Sequence, residues 1–184
     1  MRPIQNKVRI IGGKWRSRII TFPGNPDLRP TPDRVRETLF NWIGQDLSGK
    51  ACLDLFSGSG ALSFESASRG ALQVIAVESD PKIVHALQAN LQKLGAEGVE
   101  LVAIDAIKFL ASDHRTFDII FLDPPYRLEL LSELLRLLPS HLAEDGLVYI
   151  EGQTLPALAS GWQVWRSGRA GMVSYQLLKL ATNG

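Results

Sequence analysis

The run from Phe117 to Leu122 is almost wholly apolar and constrains the fold more than any other segment of the chain. A strand that is apolar on both sides needs cover on both faces, which is typical of a parallel sheet between two layers of helices. The run stops at Asp123-Pro124-Pro125-Tyr126, because proline lacks the N–H that a sheet requires. We therefore expect a central, buried, parallel strand that ends in a stiff turn.

Strand-like and helix-like segments alternate along the chain from Ala51 onward. This alternation predicts an α/β fold, in which a mostly parallel sheet of seven strands carries helices on both faces. An antiparallel pair closes the pattern around residues 168–171. The predicted strands are 51–55, 73–77, 100–104, 117–122, 147–151, 163–167 and 172–180, and the predicted helices are 60–69, 81–94, 106–111 and 128–142.

The turn 123–126 follows the carboxyl end of the central strand, which is the edge at which open α/β sheets bind ligands. A carboxylate, proline carbonyls and an aromatic ring converge there. Such a corner can accept both protons of a planar –NH2 group while Tyr126 stacks on the attached ring. The alternative is a proline-terminated strand with a solvated Asp123, and the turn alone does not decide between the two.

A second motif, from Asp54 to Gly60, has the pattern of a strand end, a glycine-rich turn and a helix start. Glycine lets a ligand approach the backbone, and a helix N-terminus favours a negative group. Glu78 ends the next strand, where an acid can hold ribose hydroxyls or simply complement a helix start. Asp105 can accept from an adenine amino group, cap a helix, or do both. Together, the glycine-rich turn, Glu78 and Asp105 predict a site for a nucleoside cofactor. The turn is not a P-loop, because the Gly-Lys-Ser/Thr of that motif is absent.

The net charge of +1 hides an asymmetry between the two ends of the chain. Residues 1–36 carry nine lysines and arginines against two aspartates, a net +7, which leaves −6 for the remainder. In this basic arm, 8–11 and 17–21 predict a hairpin with an exposed Trp15 at its turn. A proline-rich connector follows, and then a helix from Asp33 to about Gln45. Asp33 is expected to cap this helix. The charge and the aromatic ring suit a polyanion such as RNA; the alternative is a solubilising tail.

The remaining composition narrows the class of protein. A length of 184 residues suits one domain, and no apolar run approaches the roughly 18 residues of a membrane span. The start Met1-Arg2-Pro3 does not predict a signal peptide. Cys52, the one cysteine, lies in an apolar run and is expected to pack in a core in a reducing cytoplasm. The three histidines show no ligand spacing, so we expect no metal ion.

The motifs 54–60, Glu78, Asp105 and 123–126 together resemble those of class I S-adenosylmethionine-dependent methyltransferases. The (Asp/Asn)-Pro-Pro-(Tyr/Phe) signature belongs to the members that methylate planar amino nitrogens. Residues 8–13 and 29–41 resemble more narrowly the bacterial RsmD family, whose members methylate N2 of a guanine in 16S ribosomal RNA. The resemblance runs from about Val8 to Leu180. Ser57 and Ser63 stand where many relatives carry Ala and Gly, which should be tolerated.

This resemblance implies a Rossmann-like fold with S-adenosylmethionine as cofactor and guanine-966 as the target nucleotide. It implies a hairpin and helix over residues 1–48, which contact RNA and cover the pocket, and a methyltransferase domain over 49–184. We expect a monomer that acts on a small subunit or an assembly intermediate. The implied catalytic residues are Asp123, Pro124, Pro125 and Tyr126; the cofactor ligands are Thr31, Asp54, Phe56, Ser57, Gly58, Gly60, Glu78, Ser79, Asp105, Ala106 and Asp123; the RNA contacts are Arg9, Lys14, Trp15, Arg16, Arg18, Arg29, Arg34 and Arg36.

Two kinds of alternative stay open at the level of sequence. The same tetrapeptide serves enzymes that act on adenine N6, cytosine N4 or protein glutamine N5, although the compact basic arm favours structured RNA over protein. Outside enzymes, the chain could be a non-catalytic RNA-binding or ribosome-assembly protein that kept the fold.

Overall fold

The structure, a computed structural model, describes residues 4–125 and 128–182. Its first elements are two strands and a helix, followed by a regular alternation of strands and helices. In chain order they are β1 (Gln5–Arg9), β2 (Ile19–Pro23), α1 (Asp33–Ile43), β3 (Ala51–Asp54), α2 (Ala61–Ser68), β4 (Gln73–Glu78), α3 (Pro81–Leu94), β5 (Val99–Ala103), α4 (Ala106–Ser112), β6 (Phe117–Leu122), α5 (Leu128–Leu137), a 3-10 turn (Leu138–His141), β7 (Leu142–Gly152), β8 (Trp162–Ala170) and β9 (Val173–Leu180).

Seven of the strands form one sheet in the order β5-β4-β3-β6-β7-β9-β8, and β1 pairs with β2 in a separate antiparallel hairpin. Strands β3 to β7 are mutually parallel, while β9 is antiparallel to both of its neighbours. The predicted α/β class, the mostly parallel sheet and the closing antiparallel pair are therefore confirmed. The order reverses between β3 and β6, so the carboxyl ends of these two strands flank the crevice where such sheets bind ligands.

Strand β6 is buried on both faces, as its apolar run predicts. Ile119 and Phe121 belong to one hydrophobic cluster, and Ile120 and Leu122 to the other. The first cluster also includes buried residues of the hairpin and of α1, among them Ile20. The N-terminal segment therefore packs into the same core as the sheet, and the division of the chain near residue 48 stays a prediction.

The two strands of the hairpin differ from their predicted bounds. The structure pairs Gln5–Arg9 with Ile19–Pro23, two or three residues further from the turn than expected. The intervening chain docks on α2 instead of turning tightly. Backbone N–H groups of Ile11 and Gly12 donate to the Glu65 carboxylate at 2.9 and 2.8 Å. The sequence could not show this docking because Glu65 is more than fifty positions away.

A close approach of two backbones fixes the turn of this arm. The N–H of Lys14 donates to the Ser68 carbonyl at 2.8 Å. Gly13 has φ 76°, and a Cβ at that position would lie 1.9 Å from the same carbonyl oxygen. Only glycine fits such a contact with a positive φ. This part of the arm is thus held rigidly against α2.

The ends of two helices also differ from the predictions. Helix α1 starts at Asp33, but Pro32 occupies the cap position and no side chain caps the helix, so the expected capping role of Asp33 is wrong. Asp33 instead binds Arg36 one turn later. Helix α5 ends at Leu137 because Pro139 cannot donate a helical hydrogen bond, and β7 begins earlier than expected, at Leu142. Over the described ranges, no helix combines the length and apolarity needed to cross a bilayer.

Candidate active site

Five acidic residues lie at the carboxyl edge of the parallel sheet. Asp54 and Glu78 end β3 and β4, Asp105 follows β5, and Asp123 follows β6. The fifth, Glu151, lies near the end of β7 and was missed in the sequence interpretation. The register pairs Leu122 with Ile150, which places Asp123 and Glu151 at neighbouring positions of adjacent strands. Glu151 could have been recognised in the same way as Glu78, because both are acidic residues at the end of a predicted strand.

The glycine-rich turn after β3 has the tight geometry expected of a ligand-binding loop. The N–H of Ser57 donates to the Val77 carbonyl at 3.0 Å, which holds the turn against β4. Gly60 has φ 83°, and a Cβ there would lie 2.5 Å from the Phe64 ring. The turn therefore requires glycine at this position, and it leads directly into helix α2.

Asp54 is buried beneath this turn. The Ser63 hydroxyl donates to its carboxylate at 2.7 Å. Ser63, which stands where many relatives carry glycine, therefore has a defined role here. Burial raises the pKa of Asp54 to about 7, against the lowering effect of the Ser63 hydrogen bond. Ser57 is buried nearby, and Phe56 is partly exposed. The site thus holds a carboxyl group that titrates near neutrality.

Glu78 accepts hydrogen bonds from the glycine-rich turn and from the start of α3, and its contact with a ribose stays a prediction. One carboxylate oxygen accepts from the N–H of Gly58 at 3.0 Å, and the other accepts from Ser79 and Asp80, both at 3.0 Å. It therefore orders the glycine-rich turn and the start of α3 at once. Asp105 caps α4 by accepting from Ile107 and Lys108. The expected cap is confirmed, and contact of Asp105 or buried Ala106 with a base stays a prediction.

The corner after β6 is built around a pair of carboxyl groups. Glu151 is buried and accepts from the Thr31 hydroxyl at 2.6 Å and from the Tyr149 hydroxyl at 3.1 Å. Asp123 is partly buried beside it. Burial, followed by the negative charge of Glu151, raises the pKa of Asp123 well above its ordinary value. Tyr126, the expected stacking platform, lies outside the described residues.

The connector before α1 lies over the same edge of the sheet. Leu28 sits against the glycine-rich turn, since a Cβ at Gly58 would be 2.9 Å from Leu28 Cδ1. Thr31 contacts Glu151 from this connector. The structure therefore brings Thr31, the glycine-rich turn and the Asp123 corner together, although they are far apart in sequence.

The basic arm divides into exposed and buried side chains. Two expectations are wrong: Trp15 is only 7 % exposed, and Arg36 is 0 % exposed. The side chain of Trp15 packs into the core, and the Arg36 guanidinium is occupied by Glu65, Asp33 and two backbone carbonyls. Neither can contact RNA in this arrangement. The exposed members of the predicted set are Arg9, Lys14, Arg16, Arg18, Arg29 and Arg34.

The electrostatics of the edge suit a cationic nucleoside. Within residues 4–125 and 128–182, no lysine or arginine forms an ion pair with Asp54, Glu78, Asp105, Asp123 or Glu151. Carboxylates can accept from ribose hydroxyls, an ammonium group and an adenine amine, and they complement a sulfonium charge. The glycine-rich turn supplies the close backbone approach. The same described ranges contain no group of three or more side chains able to hold a metal ion.

Comparison with known proteins places the chain in a family. A family model described as "Conserved hypothetical protein 95" matches residues 8–179. The chain is 41 % identical over 183 residues to ribosomal RNA small subunit methyltransferase D of Escherichia coli, covering 97 % of this chain and 92 % of that protein. It superposes on the solved structure of yhhF from Escherichia coli with a TM-score of 0.86 and 41 % identity, over 95 % and 98 % of the two chains.

A more distant structure shares only the fold. It is an RNA methyltransferase from Salinibacter ruber in complex with S-adenosyl-L-homocysteine, with 19 % identity and a TM-score of 0.66, over 81 % of this chain and 92 % of that one. The near relatives match almost end to end, and the family model covers nearly all of the described sheet. The chain belongs to the RsmD family of ribosomal RNA small subunit methyltransferases.

Proposed function

We propose that this protein is an S-adenosylmethionine-dependent ribosomal RNA methyltransferase that modifies the exocyclic N2 of a guanine in 16S RNA, guanine-966 by family resemblance. One observation carries the proposal. The Asp123-Pro124-Pro125 turn lies beside the glycine-rich turn at the point where the strand order reverses. A site for a nucleoside cofactor and a corner rich in hydrogen-bond acceptors therefore share one edge of the sheet.

The acidic edge and the glycine-rich turn support the cofactor assignment. When bound, S-adenosylmethionine supplies an electrophilic methyl group on a sulfonium. In the proposed assignment, Asp54, Phe56, Ser57, Gly58 and Gly60 hold the methionine part; Glu78 and Ser79 hold the ribose; Asp105 and Ala106 contact the adenine; and Thr31 and Asp123 close the pocket. The distant fold relative with bound S-adenosyl-L-homocysteine is consistent with this assignment.

The corner suits an amine that is a weak nucleophile. The lone pair of guanine N2 is delocalised into the ring, so it becomes available only as the nitrogen pyramidalises. Acceptors on Asp123 and on the Pro124 carbonyl favour that geometry by taking both N–H groups, and they stabilise the positive charge that develops on nitrogen. Tyr126 is proposed to stack on the base. Proximity and in-line approach supply most of the remaining rate enhancement.

The exposed basic side chains support RNA as the substrate class. Lys14, Arg16 and Arg18 project from a segment that is held rigidly on α2, so their charges are displayed in a fixed arrangement. Phosphate contacts of this kind position a nucleic acid without reading its sequence. The target guanine has to be unpaired or flipped out to reach the corner.

The proposal is tested by methyl transfer from radiolabelled cofactor to small ribosomal subunits from cells that lack the modification. After the reaction, RNA and protein are separated and counted. We expect label in 16S RNA with the wild-type protein and near-background label with Asp123→Ala. Label that remains in the protein fraction would favour an amide nitrogen as the target. No transfer, together with no calorimetric binding of the cofactor, would favour a non-catalytic RNA-binding protein.

A further inference from the structure

Asp123 and Glu151 directly follow the paired residues Leu122 and Ile150, so their carboxyl groups lie side by side at the ends of adjacent parallel strands. Two carboxylates side by side repel strongly in a corner that is largely shielded from water, and burial together with the negative charge of Glu151 raises the pKa of Asp123 well above its ordinary value. Both features favour a single proton shared by the pair. The pair therefore has one acid and one carboxylate, and the question is which residue carries the proton.

The hydroxyl groups around Glu151 decide the position of that proton. Thr31 donates to one oxygen of Glu151 at 2.6 Å, and Tyr149 donates to the other at 3.1 Å. Each hydroxyl has one proton to give, and a carboxylate accepts both. Hydrogen bonds to the charged form stabilise it. Glu151 is thus the ionised member, and Asp123 is the member that retains the proton.

The groups that face the pair from other elements do not offset this arrangement. Asp54 approaches Asp123 from the end of β3, Tyr149 lies on β7 itself, and Tyr175 stands opposite Glu151 on β9. All are acidic or neutral. Among the described residues, no lysine or arginine forms an ion pair with Asp123 or Glu151. If both Asp123 and Glu151 were ionised, no lysine or arginine of the described residues would pair with the second negative charge.

We propose that Asp123 takes part in methyl transfer as a neutral carboxylic acid, with its O–H donated to Glu151 and its carbonyl oxygen left to accept from the target amine. Glu151 is then a positioning residue that fixes the orientation of Asp123. The inference rests on the proposed function. The N–C bond forms as the S–C bond breaks, the N-methylated cation releases its proton to water, and Asp123 holds the same proton before and after.

Isosteric variants test this assignment by single-turnover rates across pH. Asp123→Asn keeps the carbonyl and donates an N–H to Glu151, so we expect its rate within about tenfold of wild type, the scale of one altered hydrogen bond. Asp123→Ala should lose about a hundredfold or more, because the acceptor is removed. The wild-type rate should fall at alkaline pH, where loss of the shared proton makes the two carboxylates repel and displaces Asp123.

That alkaline fall should disappear in Asp123→Asn and in Glu151→Gln, since each variant leaves at most one charge in the corner. A merely structural role for Glu151 would leave the shape of the pH profile unchanged. The proposal is overturned by a wild-type rate that rises over the same range together with an inactive Asp123→Asn, or by an unaltered alkaline fall in Glu151→Gln. Far-UV circular dichroism and thermal unfolding confirm that each variant is folded.

A readout without RNA separates this inference from the proposed function. Infrared spectra of protein with 13C-labelled aspartate and bound S-adenosyl-L-homocysteine should show the carbonyl stretch of a protonated acid near neutral pH. The wild-type minus Asp123→Asn difference assigns that band, which distinguishes it from any signal of Asp54. The band should be lost in Glu151→Gln. Its absence from wild type would overturn the inference even if methyl transfer to RNA is observed.

Discussion

Arg36 and Glu65 form an ion pair in which Nη1 and Oε2 are 3.2 Å apart and both side chains are fully buried. Glu65 also accepts from Arg69 and from the backbone N–H groups of Ile11 and Gly12. Its carboxylate thus joins α1, α2 and the hairpin connection, the segment 10–18 between β1 and β2, at one point. The basic arm is consequently part of the folded core, and only its exposed charges are free for a partner.

The first prediction concerns the stability that this pair provides. Arg36→Ala should lower the free energy of unfolding by about 3–5 kcal/mol, because it leaves Glu65 with a deficit of positive charge inside the protein. Arg34→Ala, two residues away and exposed, should change it by only about 0.5 kcal/mol or less. Urea unfolding of the two variants gives the comparison. Equal effects would mean that the buried pair contributes nothing beyond a surface arginine.

Arg36 also shows where prediction from sequence stops. Helical spacing places Arg36 four residues before Phe40, so a position on the buried face could have been recognised. Its partner Glu65 lies 29 positions further on, and no local pattern indicates it. The alternation of strands and helices, the fold class and the acidic edge follow from local patterns. The bounds of the hairpin strands, the burial of Trp15 and the Thr31–Glu151 contact depend on docking between distant segments.

The second prediction follows from the raised pKa of Asp54. Its folded-state pKa of about 7 exceeds its ordinary 3.8, so the folded protein binds this proton more tightly than the unfolded chain. Stability without cofactor should therefore fall as pH rises from about 4 to about 7. Asp54→Asn cannot ionise, and its stability relative to wild type should improve by roughly 1–4 kcal/mol across that window. Asp123, whose pKa is raised in the same direction, contributes to the slope that remains in this variant.

Chemical unfolding at several pH values measures this difference. Asp113→Asn is the matched control, because the Arg115 hydrogen bond lowers the pKa of Asp113. The sign is then opposite: the Asp113 contribution is present above the unfolded pKa and is lost as pH falls. A pH profile of Asp54→Asn that runs parallel to wild type would contradict the assignment.

The third prediction concerns Glu78. Glu78→Ala should weaken cofactor binding by roughly 1–3 kcal/mol, the effect of leaving polar groups without their partner. Part of this loss reflects the turn itself, because Gly58 loses the acceptor of its N–H. Isothermal titration with S-adenosyl-L-homocysteine measures the affinity, and Glu97→Ala, an exposed acid between α3 and β5, is the control. Unchanged affinity in Glu78→Ala would reduce Glu78 to a structural role at the start of α3.

The fourth prediction concerns the exposed charges of the hairpin connection. Reversing Arg16 and Arg18 to Glu should weaken RNA binding and lower the slope of log affinity against log salt by about one unit for each phosphate that the arm no longer neutralises. Arg18 also donates to the Lys93 carbonyl at 3.2 Å, so the single variants separate the two positions. Cofactor affinity should stay the same, because neither residue lies at the acidic edge.

The control for this series is a double reversal of Lys50 and Arg136 to Glu. It changes the net charge equally, and Lys50 precedes β3 at the opposite edge of the sheet. Its salt slope should match that of wild type. An unaltered slope and affinity in the Arg16/Arg18 variant would remove the arm as the RNA-binding surface. The next candidates are Arg166 and Arg169 on β8, and Arg127, which lies outside the described residues.

The identity of the methylated nucleoside tests the proposed function most directly. Small subunits that lack the modification are treated with the enzyme and cofactor, and their 16S RNA is digested to nucleosides for mass spectrometry. We expect N2-methylguanosine with the wild-type protein, at one position and at about one methyl group per RNA, and far less of it with Asp123→Ala after the same reaction time. N6-methyladenosine or N4-methylcytidine as the product would contradict the proposal that the Asp123 corner accepts guanine N2.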